Sequence, residues 1–384
     1  MLTTRRSFLA ASGLVLAAPQ LALAQAATER RFVFVIQRGA ADGLNTVIPY
    51  ADPHYAHLRG ALAIDPATAT RLDGSFALHP ALVETRKLFT AGEALFLHAV
   101  ASPYRNRSHF DGQNVLETGG ASPYQLKDGW LNRLVALLPQ GDREAIAFAP
   151  TIPAALRGAA QVSSYAPSSL PQASDDLLLR VQQLYAADPQ LHALWSAALE
   201  ARGLARMAGA GPRRDAASLG KLAAGFLTQP KGPRIAMIET DGWDTHSSQN
   251  NRLAAQLKNL DAMLAALRDG FGPHWNQTVV LVATEFGRTA AVNGTGGTDH
   301  GTGSAAMLLG GAVQGGRVIA DWPGLGPSAL YQGRDLQPTL ALDQLLATAA
   351  AECFGLESQR LAQALFPQMA KAAPLPPLLR TASA

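Results

Sequence analysis

From residue 31 onward, short apolar runs alternate with amphipathic stretches. Residues 31–37 (RFVFVIQ), 94–100 (ALFLHAV), 145–148 (AIAF), 234–239 (RIAMIE), 278–283 (TVVLVA) and 305–309 (AAMLL) are apolar at almost every position. A strand with one wet face alternates apolar and polar side chains. Runs without that alternation predict strands covered on both faces, as in a mainly parallel sheet between helices. One more short strand is predicted at 161–165. Between the runs, apolar positions recur at helical spacing over 80–91, 108–116, 215–227, 251–268 and 340–353. The helix beginning at Ser108 is expected to stop at Thr118-Gly119-Gly120, because glycine terminates helices well. Residues 174–207 are helical in pattern and read as a helical insertion. Residues 371–384 (KAAPLPPLLRTASA) read as a loose tail. The predicted fold class is α/β, with one domain over residues 28–370.

Residues 1–27 have a different character. A basic pair, Arg5-Arg6, precedes a mildly apolar run and then small residues suited to cleavage after Ala24 or Ala26. This is the anatomy of a signal peptide. Its T-R-R-S-F-L order predicts twin-arginine export and a periplasmic or secreted product. No cysteine follows the run to carry a lipid anchor, and no later run is long enough to span a bilayer.

Composition then narrows the field. The 384 residues are 48% hydrophobic and 16% charged, which excludes a disordered chain. The net charge of +3 includes Arg5 and Arg6 and falls to +1 without the leader, so no basic face points to nucleic acid. The single cysteine, Cys353, excludes an internal disulfide and a cysteine-rich zinc site.

The polar residues that remain gather where predicted strands end, the usual place for sites in α/β sheets. RGAADGLN (38–45) contains Arg38 and Asp42. ETDGWDTH (239–246) contains Glu239, Asp244 and His246. TEFGRT (284–289) contains Glu285 and Arg288, and TDHGTGS (298–304) contains His300. RNRSHFDGQ (105–113) adds Ser108 and His109 at a helix start. Carboxylates and imidazoles without cysteine suit zinc, manganese or magnesium. Asp244 and His246 read as a metal-ligand pair, or as a loop aspartate bonded to its own backbone beside an exposed histidine. Glu239 is a third ligand, or a solvated carboxylate. Arg288 binds an anionic oxygen pair, or pairs with Glu285. Ser108 is a nucleophile or a helix N-cap.

In this order the motifs IQRGAADGLN, FALHP, RSHFDGQNVLETG, DGWL, ETDGWDTH, TEFGRT, GTDHGTGS and DWPGL resemble the bacterial family called domain of unknown function 1501. The resemblance spans about 32–368. It implies an alkaline phosphatase-like three-layer fold and kinship with the phosphatase and sulfatase superfamily, whose enzymes hold one or two divalent metals beside a Ser, Thr or modified Cys nucleophile. By this likeness Ser108 is the nucleophile. Asp244, His246 and His300 form a metal site, most simply for zinc, with Glu239, Glu285 and Asp42 as further ligands. A first-strand aspartate is replaced by Gln37-Arg38, and an Asp-His pair by Glu285-Phe286. Either one metal suffices, with Arg38 or Arg288 supplying positive charge, or hydrolysis has been lost.

Two functions are carried forward. The first is an exported metal-dependent hydrolase of small phosphate or sulfate esters. Ser108 attacks, Arg38 and Arg288 hold the anionic oxygens, and His109 is an acid or base. The second is a non-catalytic periplasmic binding or assembly protein that uses the same cleft with an exported partner.

Overall fold

The first apolar run becomes β1 (Arg31–Gln37), and every residue of it is buried. Its side chains alternate between two cores. Phe32, Phe34 and Ile36 enter one hydrophobic cluster, and Val33 and Val35 enter another. Both faces are dry, so the sequence shows no polar alternation. The computed structural model describes residues 29–139, 144–166, 175–207, 215–370 and 373–381. The leader expected at 1–27 lies outside the described residues.

Strands β2 (Val47–Ile48), β3 (Thr70–Arg71) and β4 (Ala77–Leu78) form a small separate sheet. The remaining strands are β5 (Ala94–Ala101), β6 (Ala145–Phe148), β7 (Ser163–Ser164), β8 (Ile235–Thr240), β9 (Thr278–Thr284), β10 (Ser304–Leu309), β11 (Arg317–Ile319) and β12 (Leu340–Ala341). With β1 they build a nine-stranded sheet in the order β11-β5-β10-β9-β1-β8-β6-β7, and β12 also pairs with β5. β1 lies parallel to β8 and β9 in continuous register. β10 alone runs antiparallel to its neighbours, β5 and β9. The strand expected at 161–165 shrinks to the two exposed residues of β7, at the sheet edge.

Helices cover both faces. Trp130–Leu137, Leu342–Phe354 and Ser358–Leu365 supply one core, in which Trp130 meets Phe32 and Phe34 edge-on with ring centroids 6.2 and 5.4 Å apart. Ala216–Leu227 and Gln249–Phe271 supply the other and pack on each other. Each fully buried Leu or Phe contributes on the order of 2 kcal/mol, so two continuous cores account for the three-layer arrangement. The insertion consists of helices Asp175–Tyr185 and Pro189–Met207, the second resting on Ala216–Leu227.

The C-terminal segment corrects an expectation. Within residues 373–381 the chain is docked, not loose. Leu378 and Leu379 are buried, and their N–H groups donate to the Glu352 carboxylate. Leu379 also forms a β-bridge with Val313. The proline-rich pattern suggested a solvated tail. It is an extended strap that needs no regular structure because Glu352 and two leucine pockets hold it.

Candidate metal centre

The sheet brings the polar clusters to one edge. β1, β5, β8 and β9 point their carboxyl ends there. Because β10 runs the other way, the loop before it, which carries His300, reaches the same edge. Backbone approach is close. Gly39 sits at φ +118°, and a Cβ there would stand 2.7 Å from the Asp244 backbone nitrogen, so only glycine lets the β1 loop pass under Asp244.

Four side chains converge on Asp244 Oδ1. Arg288 donates to it at 2.7 Å. His246 Nε2 lies 3.0 Å away, His300 Nε2 3.2 Å and His109 Nε2 3.5 Å. One ligand atom each from His109, Asp244 and His300 falls within a mutual 4.8 Å. The far nitrogen of each imidazole has its own acceptor. His109 Nδ1 faces Glu285 Oε1 at 2.8 Å, His300 Nδ1 faces the Arg107 carbonyl at 2.9 Å, and His246 Nδ1 faces Asp299 Oδ1 at 3.2 Å. A carbonyl or an ionised carboxylate cannot donate, so each Nδ1 must carry its proton. In the neutral rings, each Nε2 lone pair is therefore turned toward Asp244. His246 Nε2 and His300 Nε2 stand 2.9 Å apart, lone pair to lone pair, and buried His109 Nε2 has no hydrogen-bond partner.

Charge follows the same geometry. Burial works against ionised Asp244, but the hydrogen bond and charge of Arg288, with His246 and His109, hold its carboxyl below the ordinary range. The hydrogen bond that His109 donates to Glu285 raises His109, against partial burial. Burial lowers His300. Burial also opposes the Glu285 charge, yet hydrogen bonds from His109, Gln113 and the Gly39 N–H keep its carboxyl below the usual value.

The other expected residues fall elsewhere. Asp42 is not in the cluster. It is buried, caps the short helix Gly43–Thr46, and forms a two-point ion pair with buried Arg59 at 2.7 and 2.8 Å. Glu239 is not a ligand of the cluster either; it pairs with Arg38. Arg38 is further held by Glu117 at 2.8 Å and Gln113 at 2.9 Å. Arg288 gives two further donors to the Thr298 hydroxyl and carbonyl. Both guanidiniums are thus engaged by acceptors of the protein itself, Arg288 while buried and Arg38 while partly exposed. Glu285 supports His109 instead of joining the cluster. Ser108 occupies the N-cap position of helix His109–Thr118, but its side chain makes no capping bond. It stands between Arg107, whose carbonyl holds His300, and His109. The helix ends at Gly119 in the left-handed conformation, as its glycines predict.

Sequence reasoning placed His109 as an acid or base and missed it as a member of the cluster, although the signal, Ser-His at a helix start, was in view. It missed Asp299 and Glu117, which sit inside quoted motifs, and Gln249, which no motif marks.

Fold and site together define a class: a three-layer α/β protein with a histidine–aspartate cluster at the strand ends. Within that class, the chain belongs to the family described as "Protein of unknown function (DUF1501)", which matches residues 29–365. No curated protein matches the sequence. Among solved structures, the chain is similar to the C-terminal periplasmic domain of EcEptC from Escherichia coli in complex with Zn, at 11% identity and a TM-score of 0.44, over 90% of this chain and 89% of that one. It is similar to alkaline phosphatase from the Antarctic bacterium TAB5 at 10% identity and a TM-score of 0.37, over 77% and 95%. It is also similar to lipoteichoic acid synthase LtaP from Listeria monocytogenes at 10% identity and a TM-score of 0.36, over 74% and 66%. Among the described residues no helix is long and apolar enough to cross a membrane.

Proposed function

We propose that the protein is an exported, divalent-metal-dependent hydrolase of phosphate or sulfate esters. One observation carries the metal: ligand atoms of His109, Asp244 and His300 lie within 4.8 Å of one another, and His246 Nε2 adds a donor 3.0 Å from Asp244 Oδ1. Filling the space between them with protons would set three positive imidazoles and Arg288 against three carboxylates, Asp244, Glu285 and Asp299. One divalent ion satisfies the lone pairs of His109, Asp244 and His300. These three would hold it, with His246 beside them, and zinc suits this nitrogen-rich set best. When bound, the ion supplies positive charge beside a substrate's anionic oxygens and an attacking hydroxyl.

The chain's own residues do the rest. Glu285 and the Arg107 carbonyl hold the His109 and His300 rings by their Nδ1 protons. Ser108, free of a capping bond at a helix N-terminus, offers its hydroxyl as nucleophile. Its oxygen bonds to phosphorus or sulfur as the hydroxyl gives up its proton, and the ester oxygen leaves with the bonding pair and takes up that proton. Water then releases the phosphate or sulfate from Ser108.

A second reading, a periplasmic binding or assembly protein, draws on the pairing of Arg38 and Arg288 with the protein's own acceptors. Protein purified without chelator, analysed for metal and assayed on aryl phosphate and aryl sulfate esters, separates the two. Stoichiometric metal with turnover that collapses in Ser108→Ala supports the hydrolase. Metal without turnover favours the binding protein, and absence of both metal and turnover ends the hydrolase reading. Export is tested by changing Arg5 and Arg6 together to Lys, which should strand the precursor in the cytoplasm.

A further inference from the structure

Behind the cluster lies a chain of buried polar groups that the proposed chemistry does not use. It begins at the Asp42–Arg59 ion pair, where both residues are essentially inaccessible. Gln249, fully buried at the start of helix Gln249–Phe271, donates its amide Nε2 to Asp42 Oδ2. Asp42 is ionised against Arg59 and can only accept, so the Gln249 amide has one possible orientation. Its oxygen then accepts from the Thr245 hydroxyl at 2.9 Å and the Thr298 hydroxyl at 2.6 Å. The Thr298 proton is thereby committed to Gln249, and a lone pair of the same oxygen is left to accept from Arg288 Nε at 3.2 Å. The Thr298 carbonyl takes a second Arg288 donor. Arg288 completes the line by donating to Asp244 Oδ1 at 2.7 Å.

Every proton in this line has a set direction. We infer that Gln249 is a positioning residue: through Thr298 it locks the Arg288 guanidinium against Asp244 and so sets how tightly the Asp244 cluster holds a divalent cation. Asp42, which the sequence offered as a ligand, is the far anchor of this line. Residues that orient a metal-binding group commonly change metal affinity by about 10- to 100-fold when lost, although they never touch the ion. The inference rests on the proposed metal centre.

Thr298→Val keeps the shape of the side chain, removes the hydroxyl and leaves Asp42, Arg59 and Gln249 in place. Thr298→Ser restores the hydroxyl. Gln249→Leu cuts the line one step further back. Zinc affinity is measured by chelator competition, the cobalt(II)-loaded absorption spectrum reports site geometry, and NMR reports protection of the Arg288 Nε proton in metal-free protein. Thr298→Val and Gln249→Leu should bind zinc at least about tenfold more weakly, with an altered cobalt spectrum. Thr298→Ser should stay close to wild type in both. Wild-type affinity and spectrum in Thr298→Val overturn the inference, whatever its melting temperature and whether or not Gln249→Leu folds. If the wild type binds no zinc, the metal reading itself falls. The positioning role is then judged on Arg288: protection in wild type and Thr298→Ser but not in Thr298→Val supports it, and equal protection in all three overturns it.

Discussion

Two constellations of the same ingredients lie at one sheet edge, bridged by Glu285 and the Gly39 backbone. On one side Arg38 donates to Glu117, Glu239 and Gln113. On the other side Arg288 meets a single carboxylate, Asp244, with three imidazole nitrogens turned toward the same oxygen. The first carries its cation, Arg38, in the chain, shared by two carboxylates. The second holds more electron-pair donors than protons to fill them. A cluster of charged residues in a sequence is therefore not yet a site; the balance of donors and acceptors around one point makes it one.

The largest effect should come from unbalancing the closed side. Arg38→Met leaves nearly buried Glu117 and partly exposed Glu239 without their shared cation, and unpairing a buried charge costs about 3 kcal/mol. Urea unfolding should show that loss, and an unchanged midpoint would mean that Arg38 does not balance these carboxylates. The open side should instead respond to metal. An ion at a hundred times its dissociation constant stabilises by about 2.7 kcal/mol, so chelator should lower the melting temperature of the wild type. His300→Ala should abolish most of that response. Equal chelator sensitivity in His300→Ala and wild type would place the metal elsewhere.

The Glu285–His109 bond, which joins the two sides, has a pH signature in metal-free protein. The pKa of folded His109 is raised, so its contribution is fully present below the unfolded value of about 6.5 and is lost as pH rises through the folded value. Melting curves of wild type and His109→Gln should therefore converge as pH rises from 5.5 to 8.5; a gap that widens with pH would reverse the assigned sign. The smallest effect belongs to Ser108. Because its side chain caps nothing, Ser108→Ala should cost less than about 0.5 kcal/mol, below the usual loss for a capping serine. A loss of 1 kcal/mol or more in denaturant unfolding would restore the capping role.

Much of this was legible along the chain. The apolar runs at 31–37, 145–148 and 278–283 mark β1, β6 and β9 closely, because a strand buried on both faces has no choice of residue type. Asp244, His246 and His300 were visible as short motifs beside those runs. Asp42 was misread because an aspartate just past a strand looks the same whether it faces solvent, a metal or an arginine. Its partner Arg59 lies 17 residues on, in a helix of five residues with no marked pattern. The docked strap at 373–381 was misread because irregular backbone is held by contacts with distant residues, which leave no local periodicity.

Hydrophobic patterning by itself determined the layers, the strands and the loops that carry chemistry, since burial acts on each residue type wherever the chain puts it. Only the tertiary structure decided which polar groups share a point. The reversal of β10 brings His300 to the edge where Asp244 waits, and Glu285, Asp299 and the Arg107 carbonyl choose the proton on each imidazole. Hydrogen bonding and ion pairing depend on ångströms and angles between residues far apart in the chain, such as Gly39 and Glu285, 246 positions apart. Such distances are set by how the strands are ordered and directed, not by the identity of any one residue.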